Sequence, residues 1–435
     1  MNNVWTIYSK SAAFFRSEKE TTRIVLLLVV TQCLAILCGL TIFPHGYQYL
    51  PGNILHKLIT WDGLHYLQIG QSGYSWNEAY CIKHYCNIAF LPLQALLDKA
   101  ALFIFSSTFG MNGALAFIVL VCWLFGLASI FLFARLARSV MGHGAKNAIF
   151  LFAFYPGSTF TLMGYPEGLM MILSILAVHF SVQNLWWRAA ICIGIGTATS
   201  PAMVFVGFPI GIYYCFYELK NDKLYYSPLK IAAWAVLALS GLLLFMGYQY
   251  YEFGTFTAFI VAQQAWGVAP DFAVRIQQLL TPAWYLGYYH TVMVWIDVAS
   301  HHPINGLWMN GFVLLGQVLH MSDFIEFVVQ SLSNLLFLFI AILGIILSWL
   351  FCSNKKAKYI VCSVGACVVF GYLWFQAASV NMQSAIRLLF PALSIFIGWG
   401  GLLNKFKTLE YWLFPLFVAF TFFSLACVVS GYPII

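Results

Sequence analysis

The sequence predicts an all-α polytopic membrane protein, with about 11 transmembrane helices (11–13) and two long outer loops carrying interfacial helices. Three observations carry that prediction. Hydrophobic residues make up 62% of the 435-residue chain and charged residues 8%, where a soluble globular protein has roughly 45–50% and about 25%. Apolar runs close to the ~20 residues that a membrane helix needs recur from residue 24 to residue 430. Lys and Arg gather in the connections on one side of those runs, the pattern of the positive-inside rule.

In chain order the apolar runs occupy residues 24–43, 113–134, 148–164, 168–186, 189–200, 202–217, 231–250, 325–350, 359–378, 388–404 and 411–430. The first follows Lys10, Arg16, Lys19 and Arg23 but no small-x-small cleavage site, and Leu37 before Cys38 suits a lipoprotein site poorly, so it reads as an uncleaved signal anchor. Residues 88–108 are apolar too. Asp98 and Lys99 in mid-run, and the charges that an extra crossing would place outside, favour an interfacial or re-entrant helix there. Pro201 marks a break between two short runs. With a cytoplasmic N-terminus, sixteen Lys and Arg fall inside; five (Lys57, Lys83, Lys99, Arg275 and Arg387) fall outside. The formal charge of +7 thus reports topology rather than a nucleic-acid partner.

This topology makes residues 1–435 one integral membrane domain, with outer loops at 44–112 and 251–324. The second loop carries WYLGYYH (284–290) and MVWI (293–296), aromatic stretches suited to the membrane interface. No internal repeat stands out, which counts against many transporter folds. Of the 11 cysteines, Cys81 and Cys86 alone sit close together in a polar loop; they would pair only in an oxidising compartment, and the sequence leaves that open.

Polar chemistry gathers on the predicted outer side. Asp62, Glu78, Asp98, Glu167, Glu252, Asp271, Asp297, Asp323 and Glu326 lie there, with His45, His56, His65, His84, His290, His301, His302 and His320, eight of the ten histidines. The chain has no Walker loop, no His-Glu-x-x-His and no Gly-x-Ser-x-Gly. The cytoplasmic loops are too short for a nucleotide site, so an enzyme acting outside needs a donor already carried across on a lipid. Four patterns stand out: Trp61-Asp62-Gly63-Leu64-His65, with Asp62 and His65 at helical spacing; Gly164-Tyr165-Pro166-Glu167-Gly168, a turn presenting one glutamate; Glu252 followed by Gly254 to Phe259 and Gln263 to Gly267; and Arg387 before Leu388-Leu389-Phe390-Pro391.

Taken in order, these patterns resemble the GPI mannosyltransferase family of the PIG-V type, which includes bacterial relatives. Its first-loop signature is matched by Trp61, Asp62, His65, Tyr66, Gly73 and Tyr74, and its aromatic-Pro-Leu segment by Phe90 to Leu93. Pro156, Ser158, Phe160, Tyr165 and Glu167 match a third segment. Gly254, Ala258, Phe259, Ala262, Gln263, Trp266 and Gly267 match a fourth, with Phe256 in place of its usual Pro. Arg387 and Pro391 match the last, with Leu388 in place of an aromatic. The resemblance runs from about residue 55 to 395, with one departure: Ala198-Thr199-Ser200-Pro201-Ala202 lacks the family's Arg and Asn.

The resemblance implies a GT-C type glycosyltransferase that moves a sugar, mannose in the family, from a polyprenyl phosphate to a glycan or glycolipid acceptor, with its catalytic acid in the first outer loop. Asp62 matches that position as the base of an inverting transfer. His65 would orient or hydrogen-bond. Arg387, with Gln263 and Trp266, would hold the donor's phosphate and lipid; Glu167, Tyr165, Glu252 and Trp61 would meet the sugar or acceptor. No metal or other cofactor is expected, although a divalent ion near Asp62 is an open alternative. Partners would be the donor, the acceptor and the bilayer, with an accessory membrane subunit as a further option.

A bacterial inner membrane with the site facing the periplasm or exterior is expected, with an endoplasmic reticulum membrane and luminal site as the alternative. Bland readings stand beside these. Asp62 could be the N-cap of GLHYLQIG, Arg387 a snorkelling anchor, Glu167 a polar turn tip, and Trp266 and the 284–296 aromatics interfacial packing. A lipid or small-solute transporter, or a non-catalytic partner of a glycosyltransferase, is the rival for the whole chain.

Overall fold

The computed structural model describes residues 2–42, 54–221, 227–266, 273, 276, 321–376 and 385–430. All regular structure among them is helical. The aromatic stretch 284–296, Asp271, Asp297, Arg275, Gly267, His45, His290, His301, His302 and His320 lie outside these residues, as do the side chains of Trp266, Asp323 and Glu326.

The chain opens with α1 (Asn2–Thr41), then three short helices of the first loop, α2 (Ile54–Leu58), α3 (Asp62–Ser72) and α4 (Glu78–Cys81). There follow α5 (Pro92–Met141), α6 (Ala145–Ala153), α7 (Glu167–Val182), α8 (Trp186–Gly196), α9 (Ala202–Asn221), α10 (Ser227–Ala238), α11 (Ser240–Phe253) and α12 (Ala258–Ala262). The C-terminal part holds α13 (Met321–Phe351), α14 (Lys355–Gln376), α15 (Ala385–Leu388), α16 (Ser394–Lys405) and α17 (Lys407–Ser430). Six helices among the described residues are long and apolar enough to cross a membrane, or up to seven if the bent pair α10–α11 is one span. The protein is an integral, multi-pass membrane protein.

About eleven crossings were expected; part of the difference lies at helix breaks, and part in α7 and α8, whose 16 and 11 residues are short for a full crossing. The run 148–164 is helical only to Ala153. Tyr155 is extended, as a residue before proline prefers, and Pro156–Thr161 forms a 3-10 turn. The run 388–404 is cut between α15 and α16 around Pro391, and 231–250 bends by 66° at Leu239. The break expected at Pro201 lies between α8 and α9. Residues 92–109 do form a helix separate from the next, divided from it by Gly110 (φ 69°, ψ −179°), a conformation open almost only to glycine. Asp98, mid-run in that segment, is buried and accepts from Gln94 Nε2 at 2.7 Å. It faces α3, where a Cβ on Gly70 would meet its own.

Two packing features position the site. Helix α7 is fixed at both ends: Gly168 lets its N-terminus close on α5, since a Cβ there would stand 2.9 Å from the Cys122 carbonyl and the Gly126 nitrogen. At its other end Lys356 Nζ donates to the Ser181 (2.6 Å) and Val182 (3.1 Å) carbonyls. Behind α15, Phe390 stacks on Tyr155 at 5.3 Å and packs against Phe152 and Phe396, so the segment carrying Arg387 rests on a rigid aromatic core.

Candidate active site

Asp62 opens α3. The residue before it, Trp61, has φ 47° and ψ −119°, a left-handed conformation that costs a non-glycine residue on the order of 1–3 kcal/mol and persists only where its surroundings impose it. Those surroundings are the Gly164–Glu167 turn. The Gly164 nitrogen donates to the Leu58 carbonyl at 3.0 Å and the Tyr165 hydroxyl to the Thr60 carbonyl at 3.1 Å, while Trp61 packs on the cluster of Phe160, Met163, Tyr165 and Val428. The first loop and the GYPEG turn are thereby one unit.

Arg387 completes it. Its Nη1 donates to Asp62 Oδ2 at 2.5 Å, and its Nε lies 2.6 Å from Glu167 Oε1. The second contact is a close ion pair rather than a directed hydrogen bond, because the Nε–H is not aligned on an acceptor; Glu167 Oε2 is buried without a hydrogen-bond donor. The guanidinium lies over the rings of Tyr165 (5.2 Å) and Phe160 (5.7 Å). Side-chain exposures grade the trio: Glu167 is 5% exposed, Arg387 20% and Asp62 23%, so the outer face of the cluster is Asp62 with Arg387.

The electrostatics follow from one cation between two carboxylates. Burial alone would lower the Arg387 pKa, but Asp62 and Glu167 more than offset it and hold the guanidinium firmly charged. Burial raises the Glu167 carboxyl, opposed by Arg387. Tyr66 and Tyr165 are pushed well up by burial, with the nearby carboxylates adding to it. His65 is half-buried and stacks on Phe90 with centroids 4.6 Å apart; burial lowers its pKa against the pull of Asp62.

Phe90 is in turn held in place. Its carbonyl accepts from Tyr74 at 2.9 Å, Tyr66 meets it edge-on at 5.3 Å, and Gln263 Nε2 donates to the Ala89 carbonyl at 3.2 Å. Cys81 and Cys86 form a disulfide, resolving what the sequence left open, and close the loop leading to it. Asn87 ties that loop to Gly73 and Ser75.

Of the nine residues singled out from sequence, the structure thus gathers Asp62, Glu167, Arg387 and Tyr165 at one point, with Trp61 and His65 beside them and Gln263 on the adjoining wall. Glu252 stands apart, exposed near the end of α11, and Trp266 ends the Gln263–Trp266 turn. Asp62 is not a helix N-cap: it lies inside the first turn, and no side chain caps α3. Phe160 and Phe90 lacked assigned roles, although both stand in the quoted motifs. Among the described residues, no three His, Cys, Asp or Glu side chains group closely enough to hold a metal ion.

A multi-helix membrane protein with a carboxylate–guanidinium centre at helix ends is the class defined by these features. The chain belongs to the mannosyltransferase (PIG-V) family, whose family model matches residues 27–278, more than half its length, in agreement with the motif resemblance. The match includes Asp62, Glu167 and Gln263 but stops short of Arg387.

Among solved structures the chain is similar to the Archaeoglobus fulgidus oligosaccharyltransferase in complex with Zn and sulfate (19% identity, 93% of this chain and 53% of that one, TM-score 0.46). It is also similar to the Archaeoglobus fulgidus oligosaccharyltransferase AglB in complex with an inhibitory peptide and a dolichol-phosphate (16% identity, 94% and 56%, TM-score 0.44). The chain spans about half the length of these structures. No curated protein matches it.

Proposed function

We propose that this centre transfers a sugar, mannose by family, from a polyprenyl-phosphate donor to a hydroxyl of a glycan or glycolipid acceptor, with inversion at the sugar's C1. The observation that carries the reading is the pairing of Asp62 with Arg387 at 2.5 Å across 325 residues of sequence. A base and an anion-binding guanidinium side by side are what the reaction requires. The acceptor oxygen forms the new bond to C1 as its proton passes to Asp62. The bond from C1 to the phosphate oxygen breaks, and both its electrons leave with the phosphate, whose charge Arg387 takes up. His65, neutral against Phe90, orients the reacting groups. Gln263 and Trp266 would border the donor, and Tyr165 and Trp61 the acceptor side; Glu167 is engaged by Arg387, and Glu252, which stands apart, is given no contact with the reacting groups.

The Cys81–Cys86 disulfide supports an active site on an oxidising, extracytoplasmic side, the periplasmic or outer face of a bacterial inner membrane or equally the lumen of an endoplasmic reticulum, because such bonds do not persist in a reducing cytosol. The test is transfer from radiolabelled polyprenyl-phosphate mannose to a panel of glycan acceptors by the purified protein. Asp62→Asn is expected to lower turnover by about 10²–10⁴-fold, the range of a general base, with unchanged expression and elution. Unchanged turnover in that variant would remove Asp62 from the chemistry and the reading with it.

A further inference from the structure

The two carboxylates on Arg387 are not equivalent. Asp62, 23% exposed, pairs with Nη1 of the guanidinium, whereas Glu167, 5% exposed, lies against the buried Nε at the N-terminus of a helix packed closely on α5. A phosphate arriving from outside reaches the Nη edge first, the edge that forks onto anions. It therefore meets Asp62 as a competitor.

We propose that the donor phosphate displaces Asp62 from Arg387 while Glu167 keeps the guanidinium in place, so that docking the phosphate is the event that frees the base. This rests on the glycosyl-transfer reading above and assigns Glu167 as a positioning residue rather than a sugar contact. Without donor, Asp62 Oδ2 is engaged by Arg387 Nη1. Once the phosphate holds the Nη edge, the Asp62 carboxylate faces the acceptor unpaired. Glu167, 5% exposed at the N-terminus of α7, stays with Arg387, whose guanidinium lies over the rings of Phe160 and Tyr165.

Charge alone predicts that removing either carboxylate strengthens phosphate binding; displacement and positioning predict opposite signs. The experiment titrates farnesyl monophosphate, with farnesol as the blank for the apolar tail, into the detergent-solubilised full chain. Asp62→Asn is expected to tighten binding about tenfold, the scale of one charge-assisted hydrogen bond no longer in competition. Glu167→Ala is expected to weaken it about tenfold despite the lost negative charge.

Two conservative variants guard against misfolding. Glu167→Gln, which keeps an oxygen beside Nε, should stay near wild type. Glu167→Asp, which keeps the charge but withdraws it by one methylene, should weaken binding as Ala does. Unchanged or weaker binding by Asp62→Asn overturns the displacement. Tighter binding by Glu167→Ala, or wild-type binding by Glu167→Asp, overturns the positioning role. Failure of the wild type to distinguish farnesyl phosphate from farnesol overturns the proposed function itself, whereas transfer activity with the wrong signs overturns only the present inference.

Discussion

His65 shows how a residue three places from Asp62 acquires a property that spacing alone does not reveal. The stack on Phe90 half-buries the imidazole and lowers its pKa, although Asp62 pulls the other way. The unfolded chain therefore binds this proton more readily than the folded one. Stability from His65 is present above its ordinary value of 6.5 and is lost as pH falls through the lowered folded value. A series of melting temperatures from pH 7.5 to about pH 5 should fall less steeply in His65→Phe than in wild type; identical slopes would assign the acid sensitivity elsewhere. The chemistry-bearing residue types were legible from the outset, because acids and histidines are scarce in an apolar chain. Which of them pair was not legible: an N-cap and a catalytic Asp look alike in TWDGLHY, and only the fold turns Asp62 toward Arg387.

The decisive elements are short ones. In GYPEG, each glycine lets another chain approach closely: Gly164 faces Ile59, and Gly168 lies against the α5 backbone. Gly168→Ala forces α7 away from Cys122 and Gly126 and displaces Glu167 with it, at a cost of about 1–3 kcal/mol. Thermal unfolding in detergent should register that loss, together with weaker farnesyl phosphate binding. The disulfide loop makes a separable contribution. By the chain-entropy relation, a five-residue separation gives a stabilisation of roughly 2 kcal/mol, so Cys81→Ser with Cys86→Ser should lower the melting temperature while leaving Asp62 and Arg387 paired. The sequence showed the apolar runs and the break at Pro201, but not the interruptions within the runs 148–164 and 388–404. At Pro156 and Pro391 the hydrophobicity continues while the backbone does not, since proline withholds an N–H and constrains its predecessor whatever its neighbours' polarity.

Across the whole molecule, the site depends on a contact no local window contains. Asp62 comes from the first loop, Glu167 from the middle of the chain and Arg387 from near its end, and the guanidinium is the only cation described in their cluster. Arg387→Met would leave two carboxylates facing each other in a largely enclosed site, so the folded state should lose about 3–5 kcal/mol. Lowered thermal stability that recovers in the Arg387→Met, Glu167→Gln double variant would identify repulsion as the cause. Late Arg387 lies beyond the residues matching the family model, yet its RLLFP pattern was readable in the sequence; its partners were not.

Helix α7, fixed at Gly168 and at Lys356, also sets a depth. Its 16 residues measure about 24 Å, against a hydrocarbon layer of about 30 Å. In the proposed orientation, with Lys356 at the cytoplasmic boundary, the helix would end about 6 Å inside the outer edge of the hydrocarbon layer, just beneath the outer-leaflet headgroups. On the proposed reading, a polyprenyl donor would then present its phosphate by sliding sideways within the bilayer, its tail never leaving the oil, while the water-soluble part of the acceptor would come down to meet it.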